Sequence, residues 1–232
     1  MARNLLFTAR TPRGDQEVEL GQQPSEAEGF VLAGGRSTRM GQDKALLQLA
    51  GRSLLELALD KLRTLPLAAA PRIAGARSEH AGVVADLHPG CGPLSGIEAA
   101  LAASTQALNV FLPVDMPLLP PGFLLWMLRR AQITGALVTV GRINGLPQPL
   151  CAVYHKHLLS HITGSLLAGD YKVMPVVTAA ASGHGCIDLF DVERVGSAQP
   201  FDFSPLPLYR WFHNCNTPGD MSGIENALVL TE

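Results

Sequence analysis

Short apolar runs recur along the chain, and longer mixed stretches fill the gaps between them. The first run is Phe30-Val31-Leu32-Ala33, ending in Gly34-Gly35; others stand at 71–74, 82–85, 109–114, 136–140 and 150–154. A continuous run of this length suits a strand buried on both faces, because a half-exposed strand alternates instead. The stretches near 94–105, 121–132 and 155–168 read as helices. Another helix opens at Ser53-Leu54-Leu55-Glu56, where the serine hydroxyl can cap backbone donors while the glutamate reaches back, and Pro66 marks its end. Strands alternating with helices predict stacked βαβ units and a mainly parallel sheet. Asn144-Gly145, between two strand-like runs, predicts a hairpin and so one antiparallel strand. Residues 208–214 resemble a further strand, and Thr217-Pro218 opens a last helix with threonine as cap and proline at the first position. Residues 1–28 lack apolar periodicity and are expected to form a poorly ordered arm ahead of a single domain at 29–232.

Composition removes several classes of partner. Hydrophobic residues are 47% of the 232 and charged ones 16%, the mixture of a globular chain long enough to bury a core without staples. The net charge is −2, and no basic block exceeds the pair Arg129-Arg130, so a nucleic-acid partner is not expected. Mean hydropathy is slightly positive, but the most apolar stretch, 109–128, carries Asp115 and four prolines and cannot form a spanning helix. Leu5-Leu6-Phe7 is too short for a signal-peptide core, and Asp15, Glu17 and Glu19 speak against a transit peptide, so a cytoplasmic protein is expected. Cys91, Cys151, Cys186 and Cys215 form no Cys-x-x-Cys pair and read as free thiols. His157 and His161 have a zinc-compatible spacing but no third ligand nearby, which favours an exposed helical face.

The densest chemistry follows the first run: Leu32-Ala33-Gly34-Gly35-Arg36-Ser37-Thr38-Arg39-Met40-Gly41-Gln42-Asp43-Lys44. Ligands of open α/β sheets bind beyond the carboxyl ends of strands, where glycines let backbone N–H groups approach phosphate oxygens. The stretch spells neither G-x-G-x-x-G nor a Walker A loop, since Gly41 is followed by Gln-Asp-Lys. Arg39 offers a planar fork of donors and Lys44 a mobile point charge, which together suit a triphosphate; a plain surface connection is the alternative. Asp115 ends the run 109–114 and should emerge at the same edge, where one carboxylate beside a triphosphate can hold Mg²⁺. It could equally cap the turn at Met116-Pro117. Asn214 and Asn216 alternate by two, so on an extended strand both face one side with Cys215 turned away; they could serve the site or be ordinary turn residues.

The loop from Leu32 to Lys44 resembles the signature of the molybdenum cofactor guanylyltransferase-like (MobA-like) nucleotidyltransferases. Gly92-Pro93-Leu94-Ser95-Gly96 resembles that family's second loop, Val114-Asp115-Met116-Pro117 its metal-binding strand end, and Asn214-Cys215-Asn216-Thr217-Pro218 its closing motif. The resemblance implies a Rossmann-like three-layer α/β sandwich with a mostly parallel mixed sheet, of the nucleotide-diphospho-sugar transferase type. It places the backbone around Leu32, Ala33 and Gly34 at the base, with Gly35 in the same nucleotide-binding loop, Lys44 at the phosphates, Asp86 at the nucleoside end and Asp115 at Mg²⁺. Gly92, Pro93 and Gly96, with Asn214 and Asn216, would complete the nucleotide or pterin site. The implied reaction is attack by the terminal phosphate of molybdopterin on the α-phosphorus of GTP, with loss of pyrophosphate and no enzyme nucleophile. The chain departs from the guanylyl pattern in having Gly41-Gln42 where a second glycine is frequent, and Ile73-Ala74-Gly75-Ala76 where an asparagine is. CTP therefore stands second to GTP. Another small-phosphate nucleotidyltransferase, or a non-catalytic nucleotide binder, remains as an alternative; retention of Lys44 and Asp115 speaks against the latter.

Overall fold

The first run is buried from Phe30 to Leu32 and partly buried at Ala33, because both faces of its strand are covered. In this computed structural model, which describes residues 6–11, 14–19, 27–34, 44–75, 82–184, 186–198, 204–215 and 218–229, that strand is Ala27–Leu32 and begins two residues ahead of Gly29. A charged Glu28 can lie inside because its carboxylate accepts from the Thr105 N–H (2.8 Å) and pairs with Arg72. Desolvation is outweighed by these partners, which hold the Glu28 carboxyl below its ordinary range.

In chain order the strands are β1 Leu6–Thr11, β2 Gly14–Glu19, β3 Ala27–Leu32, β4 Gln48–Leu49, β5 Arg52–Ser53, β6 Arg72–Ala74, β7 Val83–Val84, β8 Leu108–Pro113, β9 Val138–Ile143, β10 Leu146–His155 and β11 Ile187–Asp191. The helices are α1 Leu54–Arg63, α2 Pro93–Ala103, α3 Pro121–Thr134, α4 Leu159–Leu167, α5 Val173–His184, α6 Val192–Ala198, α7 Leu208–Trp211 and α8 Pro218–Val229. A seven-stranded sheet runs β11-β9-β10-β8-β3-β6-β7. Strand β3 lies parallel to β6 and β8, whereas β10 is antiparallel to both β8 and β9. The turn that reverses the chain is Asn144-Gly145, with φ of 50° and 75°, as the dipeptide predicts.

Alternation along the central strands divides the core. Val31, Val110 and Leu112 pack with α1, α3 and Trp211 on one face; Phe30, Leu32 and Phe111 pack with α2, α4 and α5 on the other. The architecture is thus the expected Rossmann-like three-layer α/β sandwich with a mostly parallel mixed sheet. Helix α1 starts with the capping box read from the sequence: the Glu56 N–H donates to Ser53 Oγ (3.2 Å) and the Ser53 N–H to Glu56 Oε2 (2.8 Å).

Several elements differ from expectation. Within 1–28, β1 and β2 pair antiparallel, although Leu6, Phe7, Ala9 and Val18 set up no sustained apolar period. Residues 208–214 do not form a strand: a helical turn at Leu208–Trp211 follows Pro207, and it carries Trp211 into the core with its indole N–H donating to the Leu206 carbonyl (2.9 Å). The stretch from 155 begins as a 3-10 turn, Lys156–Leu158, before α4. The α5–β11–α6 segment adds an edge strand, parallel to β9, that the apolar runs did not show.

Candidate active site

Parallel strands β8, β3 and β6 lie side by side, so the chain leaves each at one edge of the sheet: Ala33 and Gly34 after β3, Gly75 after β6, Val114 and Asp115 after β8. Backbone bonds prolong the pairing past the strand ends, from the Ala33 N–H to the Ala74 carbonyl (3.0 Å) and from the Val114 N–H to the Leu32 carbonyl (3.1 Å). This carboxyl edge is where open α/β sheets take ligands.

Gly34 and Gly75 meet backbone to backbone. A Cβ on Gly34 would stand 2.3 Å from the Gly75 carbonyl oxygen, and Gly75 itself has φ +77°. Gly96, in the first turn of α2, closes a third side, since a Cβ there would lie 3.5 Å from Gly75 Cα and 3.4 Å from Leu32 Cδ2. Gly92 opens α2 with φ 76° and no side-chain cap, and Pro93 takes the first helical position, so the helix begins with N–H groups not claimed by a capping side chain. Because the clash at Gly34 is with main chain, Gly34→Ala must part β3 from β6 at the site. We expect it to lower stability by about 1–3 kcal/mol, as overpacking does, and to abolish detectable nucleoside triphosphate binding in calorimetry. Parent-like binding would show that the close approach is not part of the site.

Lys44 opens a 3-10 turn and brings its Nζ to 3.7 Å from Asp115 Oδ2, with the two side chains 28% and 22% exposed. Burial pushes the Asp115 carboxyl above the usual carboxylate range, and the neighbouring Lys44 only partly reverses this. Asp86 lies beyond β7, and its Oδ1 stands 3.7 Å from the Cβ position of Gly75. That oxygen is buried and has no hydrogen-bond partner among the described residues. Burial, with Glu98 nearby, pushes the Asp86 carboxyl up.

Two networks behind these groups are not visible in the motifs. The fully buried Glu98 of α2 contacts His88 Nδ1 (2.7 Å) and accepts from Thr163 Oγ1 (2.6 Å), while Ser95 Oγ donates to the His88 carbonyl (2.6 Å). The turn after Asp115 is held by main chain and by one lysine. The Met116 N–H donates to the Pro113 carbonyl (3.4 Å), the Cys215 N–H to the Asp115 carbonyl (2.8 Å), and Lys61 Nζ to the carbonyls of Met116 (3.4 Å) and Pro117. Burial pulls the Lys61 ammonium down to about 7 and pushes the nearby Cys151 thiol up to about 12.

The residues expected at the site thus gather unequally. Leu32, Ala33, Gly34, Lys44, Asp86, Gly96 and Asp115 converge on the sheet edge, with Gly92 and Pro93 at the start of α2. Gly35, Arg39 and Asn216 lie outside the described residues. Asn214 is exposed and Cys215 buried, but on an irregular segment rather than the expected strand, because the chain there follows the turn set by Trp211. Gly75, which reads as bland in the sequence, is the glycine on which Gly34 and Gly96 both close. Among the described residues no group of three or more metal-ligating side chains forms, His157 and His161 included, and no helix is long and apolar enough to cross a membrane.

A glycine-lined sheet edge with a lysine–carboxylate pair and an uncapped helix start defines a nucleotide-binding α/β enzyme built for phosphate chemistry. The chain belongs to the MobA-like NTP transferase domain family, whose model matches residues 29–183, and it is a nucleotidyltransferase. It is 34% identical over 202 residues to a probable molybdenum cofactor guanylyltransferase of Pelotomaculum thermopropionicum, covering 84% of this chain and 90% of that one. It is 30% identical to the molybdenum cofactor guanylyltransferase of Vibrio cholerae, covering 86% of this chain and 92% of the other. The crystal structure of molybdopterin-guanine dinucleotide biosynthesis protein A from Archaeoglobus fulgidus superposes with a TM-score of 0.70 at 23% identity, over 88% of this chain and 99% of that one.

Proposed function

We propose that the protein transfers GMP from GTP to the terminal phosphate of molybdopterin, or of its metal-loaded form, releasing pyrophosphate. The observation that carries this reading is the Lys44–Asp115 pair, set at 3.7 Å on the carboxyl edge beside the Gly34–Gly75 contact. Family membership implies a divalent metal requirement in general, and Mg²⁺ is part of the proposal. Asp115 suits it: a partly exposed carboxylate whose charge is penalised by burial gains from a neighbouring cation, and Mg²⁺ commonly takes one or two carboxylates plus phosphate oxygens. When bound, the ion neutralises repulsion between the phosphates and fixes their geometry.

The chain's own residues supply position and charge. The acceptor phosphate is already ionised at neutral pH, so no side chain needs to remove a proton, and the site requires orientation and electrostatic relief rather than a general base. Lys44, with Arg39 from the same loop, stabilises charge moving toward the departing pyrophosphate. The backbone at Leu32 to Gly35 and the start of α2 at Gly92, Pro93 and Gly96 receive the nucleotide, and Asn214 and Asn216 orient the acceptor. Asp86 favours guanine, because a carboxylate whose buried Oδ1 has no hydrogen-bond partner among the described residues can accept from the adjacent ring N–H and amino group of guanine. Cytosine offers only its single amino group. A cytoplasmic location belongs to the same reading and is supported by four free cysteines.

A thermal-shift panel of the nucleoside triphosphates, with and without MgCl₂, tests this. A ligand at about a hundred times its Kd stabilises by about 2.7 kcal/mol, so the preferred base stands out. The largest Mg²⁺-dependent shift is expected with GTP. A larger shift with CTP would move the assignment to cytidylyl transfer, and none with any triphosphate would overturn the enzymatic reading.

A further inference from the structure

Between Pro113 and Pro121 the chain carries four prolines, each without an N–H, so carbonyls in this stretch have few backbone donors at hand. Three consecutive carbonyls begin at Asp115, and each is met by a group from elsewhere in the fold. The Asp115 carbonyl takes the Cys215 N–H; those of Met116 and Pro117 take Lys61 Nζ, which arrives from the last turn of α1. Helix α1 is itself a firm base, fixed by its capping box and by Leu54, Leu55, Ala58 and Leu62 in the core.

We infer that Lys61 is a positioning residue for the transfer reaction, aiming the Asp115 carboxylate at its divalent ion by holding the two peptide carbonyls that follow it. The inference rests on the proposed metal role of Asp115. A lysine is an expensive filler for this place: its partly buried amine has to be desolvated, and an apolar side chain on α1 would pack there without that penalty. What an apolar residue would not do is restrain the turn. Without Lys61 the Met116 carbonyl keeps only the Leu119 N–H (3.4 Å) and the Pro117 carbonyl loses the ammonium, so the turn that follows Asp115 gains freedom that passes back to the carboxylate even though the Asp115–Met116 peptide itself stays bonded to Cys215 and Pro113. Groups that orient a ligand without touching the metal commonly change its affinity by about 10–100-fold when removed.

The test measures GTP affinity by calorimetry in MgCl₂ and in EDTA, for the parent, Lys61→Met, Asp115→Asn and Leu59→Ala. In the parent, Mg²⁺ should tighten GTP binding. Lys61→Met should cut that gain about tenfold while leaving GTP affinity in EDTA unchanged. Asp115→Asn should remove the gain altogether. Leu59→Ala loosens the same helix without touching the turn, so it should lower the melting temperature and keep the gain. A parent without the gain, or an Asp115→Asn variant that keeps it, overturns the reading of Asp115 and this inference with it. If Asp115→Asn loses the gain but Lys61→Met keeps it, the inference alone falls. It falls equally if Leu59→Ala loses as much as Lys61→Met, since Lys61 is then packing only. Should Lys61→Met not fold, Lys61→Gln, whose shorter amide stops short of both carbonyls, replaces it with the same expected and overturning results.

Discussion

Asp115→Asn should lower metal-dependent turnover by at least about 10³-fold, beyond the roughly 10²–10³ typical of losing one preorganised electrostatic contact, while the ligand-free melting curve stays in place or rises. The two parts have one cause. Burial raises the Asp115 carboxyl, with Lys44 only partly offsetting it, so the folded chain holds this proton more tightly than the unfolded chain does. Such a group favours folding at low pH, and its contribution declines as pH rises through the raised folded value. At neutral pH the charge is a liability to the empty fold, and asparagine removes it at nearly constant shape. If Asp115 were a turn cap, asparagine would replace it and activity would persist. The turn gives that reading little to rest on, because the Met116 N–H already bonds to the Pro113 carbonyl. Pyrophosphate release with GTP and molybdopterin across a Mg²⁺ titration, beside unfolding without ligand, separates the readings; near-parent turnover at low Mg²⁺ would remove Asp115 from the metal site.

What could be read without the structure was what local physics writes into local sequence. Central strands β3, β8, β9 and β10 were legible because burial on both faces leaves continuous apolar runs, and the Ser53 box and the Asn144-Gly145 turn because their chemistry is confined to neighbouring residues. Helix α5 buries Val173, Val176, Val177, Ala180 and Ala181, a helical spacing that was present, but its small residues make a faint stripe. The segment at 208–214 was ambiguous by length alone: a short aromatic run suits either state, and the reach of Trp211 to Leu206 decided for a helical turn. In the site, Lys44 and Asp115 stand out as members of motifs. Lys61 does not, since a single lysine on an amphipathic helix looks like a solvated residue until the proline-rich turn is folded against it. Gly75 is not legible in the sequence, because its need for φ +77° and for contact with Gly34 exists only once β3 and β6 are paired.

Lys44→Ala should lower turnover by about 10²–10³-fold and change stability little. The pair it makes with Asp115 is partly exposed, and pairs of that kind contribute about 0–1 kcal/mol, so an effect much larger than this must arise with substrate bound. The lysine sits where one cation can meet both the carboxylate and a triphosphate laid along the glycine edge. Its loss also leaves Asp115 without the group that holds its carboxyl down, so the acid limb of the pH–rate profile should move to higher pH in the variant. That displacement distinguishes loss of Lys44 from a general weakening of binding, which would lower kcat/KM at all pH values without moving the limb. A double variant carries the argument further. If Lys44 and Asp115 serve one charge-balancing unit, Lys44→Ala combined with Asp115→Asn should be scarcely slower than Asp115→Asn alone, whereas independent roles would multiply the two losses. Single-turnover rates with GTP and molybdopterin on the four forms would show which holds, and a Lys44→Ala variant that forms product at the parent rate would leave the lysine as a surface residue beside the site.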